Sequence, residues 1–181
     1  MLVAIVSGGI WLSCQSQRSH TVRAVAADAA WVPQHPSKRW ECIVIHHSAS
    51  DIGGAERFDR WHKAKGWDGL GYHFVIGNGT DTPDGQVEVG YRWANQEHGA
   101  HCKTPDDYYN QHGIGICLVG NFDNYAPSAA QTRSLVRLCR FLCRRFNISP
   151  EDIYTHGGIT GKTDCPGKNL DVDEIRSEVR R

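Results

Sequence analysis

Short apolar segments alternate with helix-like segments along this chain, and this alternation limits the folds open to it. CIVIH (42–46), YHFVI (72–76) and GIGICLVG (113–120) have the apolar, β-branched composition of buried strands. DTPDGQVEVGYRW (81–93) contains a Pro-Asp-Gly turn signal followed by an alternating strand, and NISPEDIYT (147–155) suits a short final strand. Strands interleaved with helices predict an α/β fold, in which a central mixed β-sheet is flanked by helices.

The clearest helix is predicted over 127–147. Ser128 and Gln131 form a capping-box pattern at its start, and apolar residues recur on one face while arginines occupy the other. A last helix is predicted to start at Asp171. A third, modest amphipathic helix is predicted over 53–67 after a glycine turn, with several large side chains on its apolar face: Phe58, Trp61 and the stem of Lys65.

The chain length of 181 residues suits one domain with a single core. The apolar run in residues 1–14 predicts a signal or lipoprotein segment with Cys14 as a lipidation site, since it is too short for a membrane span. Residues 15–39 lack apolar periodicity and are predicted to form a linker or extended arm. The folded domain is predicted over 40–181.

The charge balance excludes one class of partner. Twenty basic and 20 acidic residues give a formal net charge of zero, so the basic surface of a non-specific nucleic-acid or anionic-membrane binder is not expected. The seven cysteines do not suggest a disulfide scaffold, because several lie in apolar runs or on one helix face, where a thiol packs as a small hydrophobic group: Cys42, Cys117, Cys139 and Cys143.

The segment THGGITGKTDCPG (155–167) places a histidine and a cysteine in a glycine-rich loop. They could belong to a metal site, to a thiol nucleophile with its base, or to a turn without function. His46 closes an apolar strand, and His156 and Cys165 follow another, so all three can meet at the rim of the sheet. Two imidazoles and a thiolate are a known ligand set for catalytic zinc. Neighbouring strand residues point to opposite faces, so only His46 of the His46–His47 pair is assigned to the site.

Five motifs in order resemble those of a known family. They are IVIHHSAS (43–50), WHKAKGWDGLGYHFVIG (61–77), GAHC (99–102), GIGICLVGNF (113–122) and a histidine followed by TDCPG (163–167). This pattern resembles the zinc-dependent N-acetylmuramoyl-L-alanine amidases of the type shared by bacteriophage T7 lysozyme and the peptidoglycan recognition proteins. The resemblance covers roughly residues 40–178 and implies that family's α/β fold, with a zinc site at the sheet rim.

The resemblance implies roles for individual residues. The two zinc histidines of the family match His46 and His156, its cysteine ligand matches Cys165, and together they imply a site for one Zn²⁺ ion. The catalytic tyrosine of the family matches Tyr72, which the resemblance places near the substrate carbonyl as a hydrogen-bond donor.

Other positions match the family's groove. The polar residue two positions before the last ligand is Thr163, which is assigned a catalytic role with Lys162 as the alternative. His101 and Asn110 match positions near the groove and are assigned as substrate-binding residues.

The resemblance implies an enzyme that hydrolyses the amide bond between N-acetylmuramic acid and L-alanine in peptidoglycan by attack of a zinc-bound water. Its partners would be peptidoglycan or muropeptides and no nucleic acid, with membrane association only through an N-terminal signal or lipid anchor. The protein would be an exported monomer, either in the cell envelope or secreted, and a lipid anchor on Cys14 stays open. Two alternatives stay open: a recognition module that binds muropeptides without cleaving them, and a cysteine hydrolase.

Overall fold

The computed structural model of the protein describes residues 29–33, 35 and 38–181. The chain divides into two units, residues 1–32 and 33–181, and most of the first unit lies outside the described residues. The predicted signal or lipoprotein segment and most of the predicted linker lie outside the described residues. Within the part that is described, no helix is both long and apolar enough to cross a membrane.

A five-stranded mixed sheet forms the centre of the second unit. Its strands are β1 (Cys42–His47), β2 (Phe74–Ile76), β3 (Val87–Val89), β4 (Gly113–Leu118) and β5 (Ile153–Thr155). The strand order is β3-β2-β4-β1-β5; β1 is parallel to both β4 and β5, β2 is parallel to β4, and β3 is antiparallel to β2. The predicted mixed sheet flanked by helices is therefore confirmed.

Six α-helices surround this sheet in the described residues. They are α1 (Ala55–Ala64), α2 (Tyr91–Ala94), α3 (Tyr108–His112), α4 (Ala129–Phe146), α5 (His156–Thr160) and α6 (Val172–Arg180), with a short 3-10 turn at Pro150–Asp152. The capping box of α4 is present: Ser128 Oγ accepts from the Gln131 amide, and the Gln131 side chain accepts from the Ser128 amide. Asp171 caps α6 by accepting from the amides of Asp173 and Glu174.

The core lies on both faces of the two central strands. Every residue of β1 and β4 is buried, as expected for parallel strands that are covered on each side. The apolar face of α4 packs onto the sheet through Leu135, Leu138 and Leu142, each with no exposed surface.

Three predicted details were wrong. On α1 only Phe58 is buried, whereas the Trp61 side chain is 41% exposed, so the expected apolar face is narrower. The strand predicted over 72–76 begins at Phe74, which leaves Tyr72 in the segment just before it. His156 does not lie in a loop but begins helix α5, where Thr155 caps the helix by accepting from the Gly158 amide.

Candidate metal centre

The register of the sheet brings the two predicted histidine ligands together. Ile45 of β1 pairs with Thr155 of β5, so the next residues, His46 near the end of β1 and His156 just after β5, lie at the same edge of the sheet. Their ring centroids are 4.8 Å apart, which is the ordinary spacing of adjacent strands. The carboxyl edge of parallel strands is where open α/β sheets bind their ligands.

Cys165 joins this pair from the loop that follows α5. Its Sγ lies 3.8 Å from Nδ1 of His46, although 119 positions separate the two residues. One ligand atom each from His46, His156 and Cys165 lies within 4.8 Å of the others. The amide of Gly157 donates to the Cys165 carbonyl at 2.7 Å, which ties the loop back onto the start of α5.

His47 points away from this cluster, as strand alternation predicts. Its Nδ1 accepts a hydrogen bond from the Phe122 amide at 3.2 Å, and its ring packs near the Phe122 ring. Its own amide donates to Cys165 Sγ at 3.4 Å. His47 therefore supports the cluster through its backbone and does not offer its ring as a ligand.

Burial sets the protonation of the cluster. It lowers the pKa of His46 well below the usual value, and the neighbouring imidazoles of His101 and His156 lower it further. Burial, with a contribution from His47, also lowers the pKa of His156. Both rings are therefore neutral near pH 7 and each keeps one nitrogen lone pair, as a metal ligand must.

The pKa of the Cys165 thiol is shifted upward, whereas those of the two histidines are shifted downward. Burial raises its pKa to about 12, although the His47 amide acts in the other direction. A catalytic cysteine needs a lowered pKa, so this environment does not favour a free thiolate nucleophile. A bound cation would deprotonate the thiol on coordination. The geometry and the electrostatics therefore favour a metal site over a Cys–His nucleophile pair.

Tyr72 lies beside the cluster, with its ring centroid 5.2 Å from that of His46. Burial, and then the nearby Cys117 and Cys165 thiols, raise the pKa of its hydroxyl well above 10. The hydroxyl therefore keeps its proton at neutral pH. It can donate a hydrogen bond but does not act as a base.

The side chains of His101 and Asn110 both form hydrogen bonds within the protein. His101 Nδ1 lies 3.1 Å from His46 Nε2, and its Nε2 lies 3.3 Å from the Gly113 carbonyl oxygen. Asn110 Oδ1 accepts from the His101 amide at 2.8 Å, and its Nδ2 donates to Asp107 at 2.7 Å. Both residues line the cavity described below, so their assignment to substrate binding stays a prediction, but His101 also contacts the cluster directly.

Thr163 and Lys162 are exposed residues of the loop before Cys165. Thr163 Oγ1 accepts a hydrogen bond from the Cys165 amide at 3.2 Å. The Thr163 hydroxyl donates no hydrogen bond to any of the described residues, so it can donate one to a substrate. The geometry gives Thr163 a direct tie to the cysteine, which the Lys162 side chain does not have.

An open cavity of about 610 Å³ adjoins the cluster. This volume lies within the range of about 300–1,000 Å³ found for small-molecule sites. His156 and His101 contribute to its wall, whereas His46 and Cys165 lie deeper, with 1% and 7% of their surface exposed. The wall also contains residues to which sequence analysis gave no role: Trp67, Asp68, Arg92, Lys103 and Thr160.

Two of these residues illustrate what the sequence could indicate. Trp67 is 45% exposed, its ring centroid lies 4.6 Å from that of His62, and it lies within a motif already quoted for the resemblance. Arg92 is buried and donates to the carbonyls of Leu70 and His98, so it holds two loops of the cavity wall. No local pattern around Arg92 distinguishes it from a surface arginine.

Comparison with known proteins gives consistent results. A family model described as N-acetylmuramoyl-L-alanine amidase matches residues 36–168. The endolysin of Enterobacteria phage T3 is 37% identical over 145 residues, which cover 75% of this chain and 85% of that protein. Peptidoglycan-recognition protein SC2 of Drosophila melanogaster is 31% identical over 144 residues, which cover 74% and 71% of the two chains. Among solved structures, N-acetylmuramoyl-L-alanine amidase LysC from Clostridium intestinale superposes with a TM-score of 0.68 at 29% identity, covering 83% of this chain and 93% of that one.

Proposed function

Because this chain belongs to the N-acetylmuramoyl-L-alanine amidase family, we propose that it hydrolyses the amide bond between N-acetylmuramic acid and L-alanine in peptidoglycan, using one zinc ion. His46, His156 and Cys165 are the proposed ligands. The observation that carries this proposal is their convergence: one ligand atom from each lies within 4.8 Å of the others, next to an open cavity.

The donor set and its spacing suit zinc. Zn–N bonds of about 2.0 Å and a Zn–S bond of about 2.3 Å at a tetrahedral angle would separate N and S ligand atoms by about 3.5 Å. The distance of 3.8 Å between His46 Nδ1 and Cys165 Sγ is close to this value. Three protein ligands leave one position open, which is the pattern of catalytic and not structural zinc sites.

The chemistry divides between the ion and the side chains. Zinc, when bound, polarises a carbonyl and makes a water nucleophilic at neutral pH. The Tyr72 ring lies beside His46, and its hydroxyl, which keeps its proton, is the proposed hydrogen-bond donor to the oxygen on which negative charge develops. The Thr163 hydroxyl, in the cavity wall, is a second proposed donor, and its bond from the Cys165 amide fixes its position.

The substrate is a glycan-linked peptide, and the cavity suits such a ligand. It is open to solvent, as a site for a polymer must be, and it offers an aromatic face at Trp67 together with charged groups at Asp68 and Lys103. His156 brings the cluster to the cavity wall, so a bound amide can reach the proposed ion there. The N-terminal segment is proposed to export the protein to the cell envelope, where this substrate occurs.

A recognition module that binds muropeptides without cleaving them is the main alternative, because some relatives are named for peptidoglycan recognition. The complete ligand set, together with Tyr72, supports the enzyme. The two functions are separated by one experiment: digestion of defined muropeptides with and without a chelator, followed by detection of free stem peptides.

We expect release of stem peptides that stops on chelation and returns with added Zn²⁺. Cys165→Ser should lower the rate by at least about 10²-fold, whereas Cys143→Ala, a matched control on helix α4, should cleave normally. Binding of intact muropeptide without cleavage would establish the recognition module. Activity that resists chelation but is lost on thiol alkylation would establish a cysteine hydrolase.

A further inference from the structure

A chain of hydrogen bonds connects the proposed ligand His46 to the protein backbone through His101. Nε2 of His46 lies 3.1 Å from Nδ1 of His101, and Nε2 of His101 lies 3.3 Å from the carbonyl oxygen of Gly113. A backbone carbonyl can only accept a hydrogen bond. Because the Gly113 carbonyl can only accept, it determines which atom donates and which accepts in each of the two hydrogen bonds.

The Gly113 carbonyl requires the His101 Nε2 atom to carry a proton. In a neutral imidazole the other nitrogen is then an acceptor, so His101 Nδ1 accepts from His46. His46 must carry its proton on Nε2, which leaves the lone pair on its Nδ1. That nitrogen is the one that faces Cys165 Sγ at 3.8 Å.

Packing also fixes the ring of His101. A Cβ atom added at Gly115 would lie 2.3 Å from His101 Cδ2, and one added at Gly99 would lie 2.3 Å from the same atom. Glycine is therefore required at both positions to make space for the ring. The amide of His101 is held as well, by Oδ1 of Asn110 at 2.8 Å.

We propose that His101 is a positioning residue, which orients His46 and places its proton so that Nδ1 binds the metal. Both ring nitrogens of His101 have partners in the protein, so this role does not depend on the predicted substrate contact. Outer partners of this kind fix the tautomer of a ligand histidine and raise its basicity. The inference rests on the proposed zinc site and assigns a residue outside its ligand set.

Zinc affinity of the metal-free protein, measured by competition with a chromophoric chelator, tests this role. His101→Ala should raise the Kd for zinc by about 10- to 100-fold. His101→Asn keeps an oxygen close to the position of Nδ1 and should recover most of the affinity. His101→Gln keeps a polar group only near the position of Nε2 and should resemble His101→Ala. Unchanged affinity in His101→Ala, or equal recovery by Asn and Gln, would overturn the proposal.

His73 provides a control, because its ring is buried and packs 5.7 Å from the His101 ring, but its ring nitrogens have hydrogen-bond partners only in the backbone of Gly115 and Glu97. His73→Asn should leave the Kd for zinc unchanged, whatever its effect on the melting temperature of the metal-free protein. A loss of affinity equal to that of His101→Ala would indicate a general packing effect and would contradict the specific role.

A second measurement needs no metal and so separates this inference from the proposed function. Long-range ¹H–¹⁵N spectra of the metal-free protein at neutral pH should show both His46 and His101 protonated on Nε2. Protonation of His46 on Nδ1 would overturn the proposal even if the protein binds zinc. If the wild-type protein does not bind zinc, the zinc-dependent function fails, while these spectra still decide whether the hydrogen-bond chain exists.

Discussion

Ile45 and Thr155 are paired in the parallel register of β1 and β5, and this single pairing determines where His46 and His156 meet. His46 is the next residue of β1 and His156 directly follows the end of β5, so the backbone ladder sets their separation before any side-chain contact is made. A slip of one residue in β1 would turn His46 to the opposite face of the sheet. The geometry of the candidate metal centre is thus a consequence of strand pairing.

Tyr72→Phe tests the proposed donor to the developing oxyanion. Removal of the hydroxyl should lower kcat by about 10²-fold or more, because a buried donor is lost where charge develops. Steady-state digestion of a defined muropeptide gives the value. Tyr91→Phe is the control, since Tyr91 packs against the same apolar cluster but has no place in the site. Near-normal turnover in Tyr72→Phe would remove this residue from the mechanism.

Substitutions in the loop before Cys165 distinguish between the two candidate helpers. Thr163→Val removes both the acceptor for the Cys165 amide and the donor to the substrate, and should lower kcat by at least about 10-fold. Thr163→Ser keeps the hydroxyl and should retain most activity. Lys162→Ala should leave kcat nearly unchanged. The reverse order, with Lys162→Ala the more damaging change, would assign the catalytic role to Lys162.

Stability of the metal-free protein should fall between pH 6.5 and pH 4. Burial lowers the pKa of His101 from 6.5 to about 4, so in this window the unfolded chain binds a proton that the folded chain does not. The unfolded state is favoured as pH falls, and the cost for this residue reaches up to about 3 kcal/mol. Burial lowers the pKa of His46 and His73 as well, so they act in the same direction.

Urea unfolding at a series of pH values measures this effect. His101→Asn lacks the titrating ring and should show a smaller loss of unfolding free energy across the window. Carboxylates with lowered pKa, such as Asp81, lose their contribution only below their ordinary value of 3.8 and so do not obscure the result. Equal stability at pH 7 and pH 4.5, or the same pH dependence in His101→Asn, would contradict the assignment of neutral buried histidines.

Gly115→Ala tests whether the glycine exists to accommodate the His101 ring. The new Cβ would clash with that ring, so the variant should lose about 1–3 kcal/mol of unfolding free energy. In a His101→Ala background the same change should cost much less, because the ring is gone. A double-mutant cycle from urea unfolding gives the coupling. Additive costs in the two backgrounds would show that Gly115 is needed for another reason.

The central elements of the fold were predictable because their sequence signals are long enough. β1 and β4 are continuous apolar runs, and α4 combines a capping box with about three turns of apolar periodicity. The helices α2 and α3 were missed, since segments of four and five residues are too short to show a helical period. Trp61 was misplaced because a 3,4 spacing identifies one face of a helix but not how much of that face the core covers.

Only part of the candidate site could be predicted from the sequence. The three donor residues were identified from strand ends and from the resemblance, and the structure brings them together. The contact between His46 and His101 could not be predicted, because it joins residues 55 positions apart and depends on the exact course of the loop after α2. Nothing in the sequence around Gly99 and Gly115 indicated that these two glycines make space for the His101 ring.

X-ray absorption at the zinc edge of the purified protein shows whether His46, His156 and Cys165 hold a zinc ion. We expect one zinc ion per chain, with two nitrogen ligands at about 2.0 Å, one sulfur at about 2.3 Å and one further light atom. In Cys165→Ser the sulfur contribution should disappear. A pure, folded protein that holds no zinc after incubation with the ion, or a bound ion without sulfur in its first shell, would contradict the account.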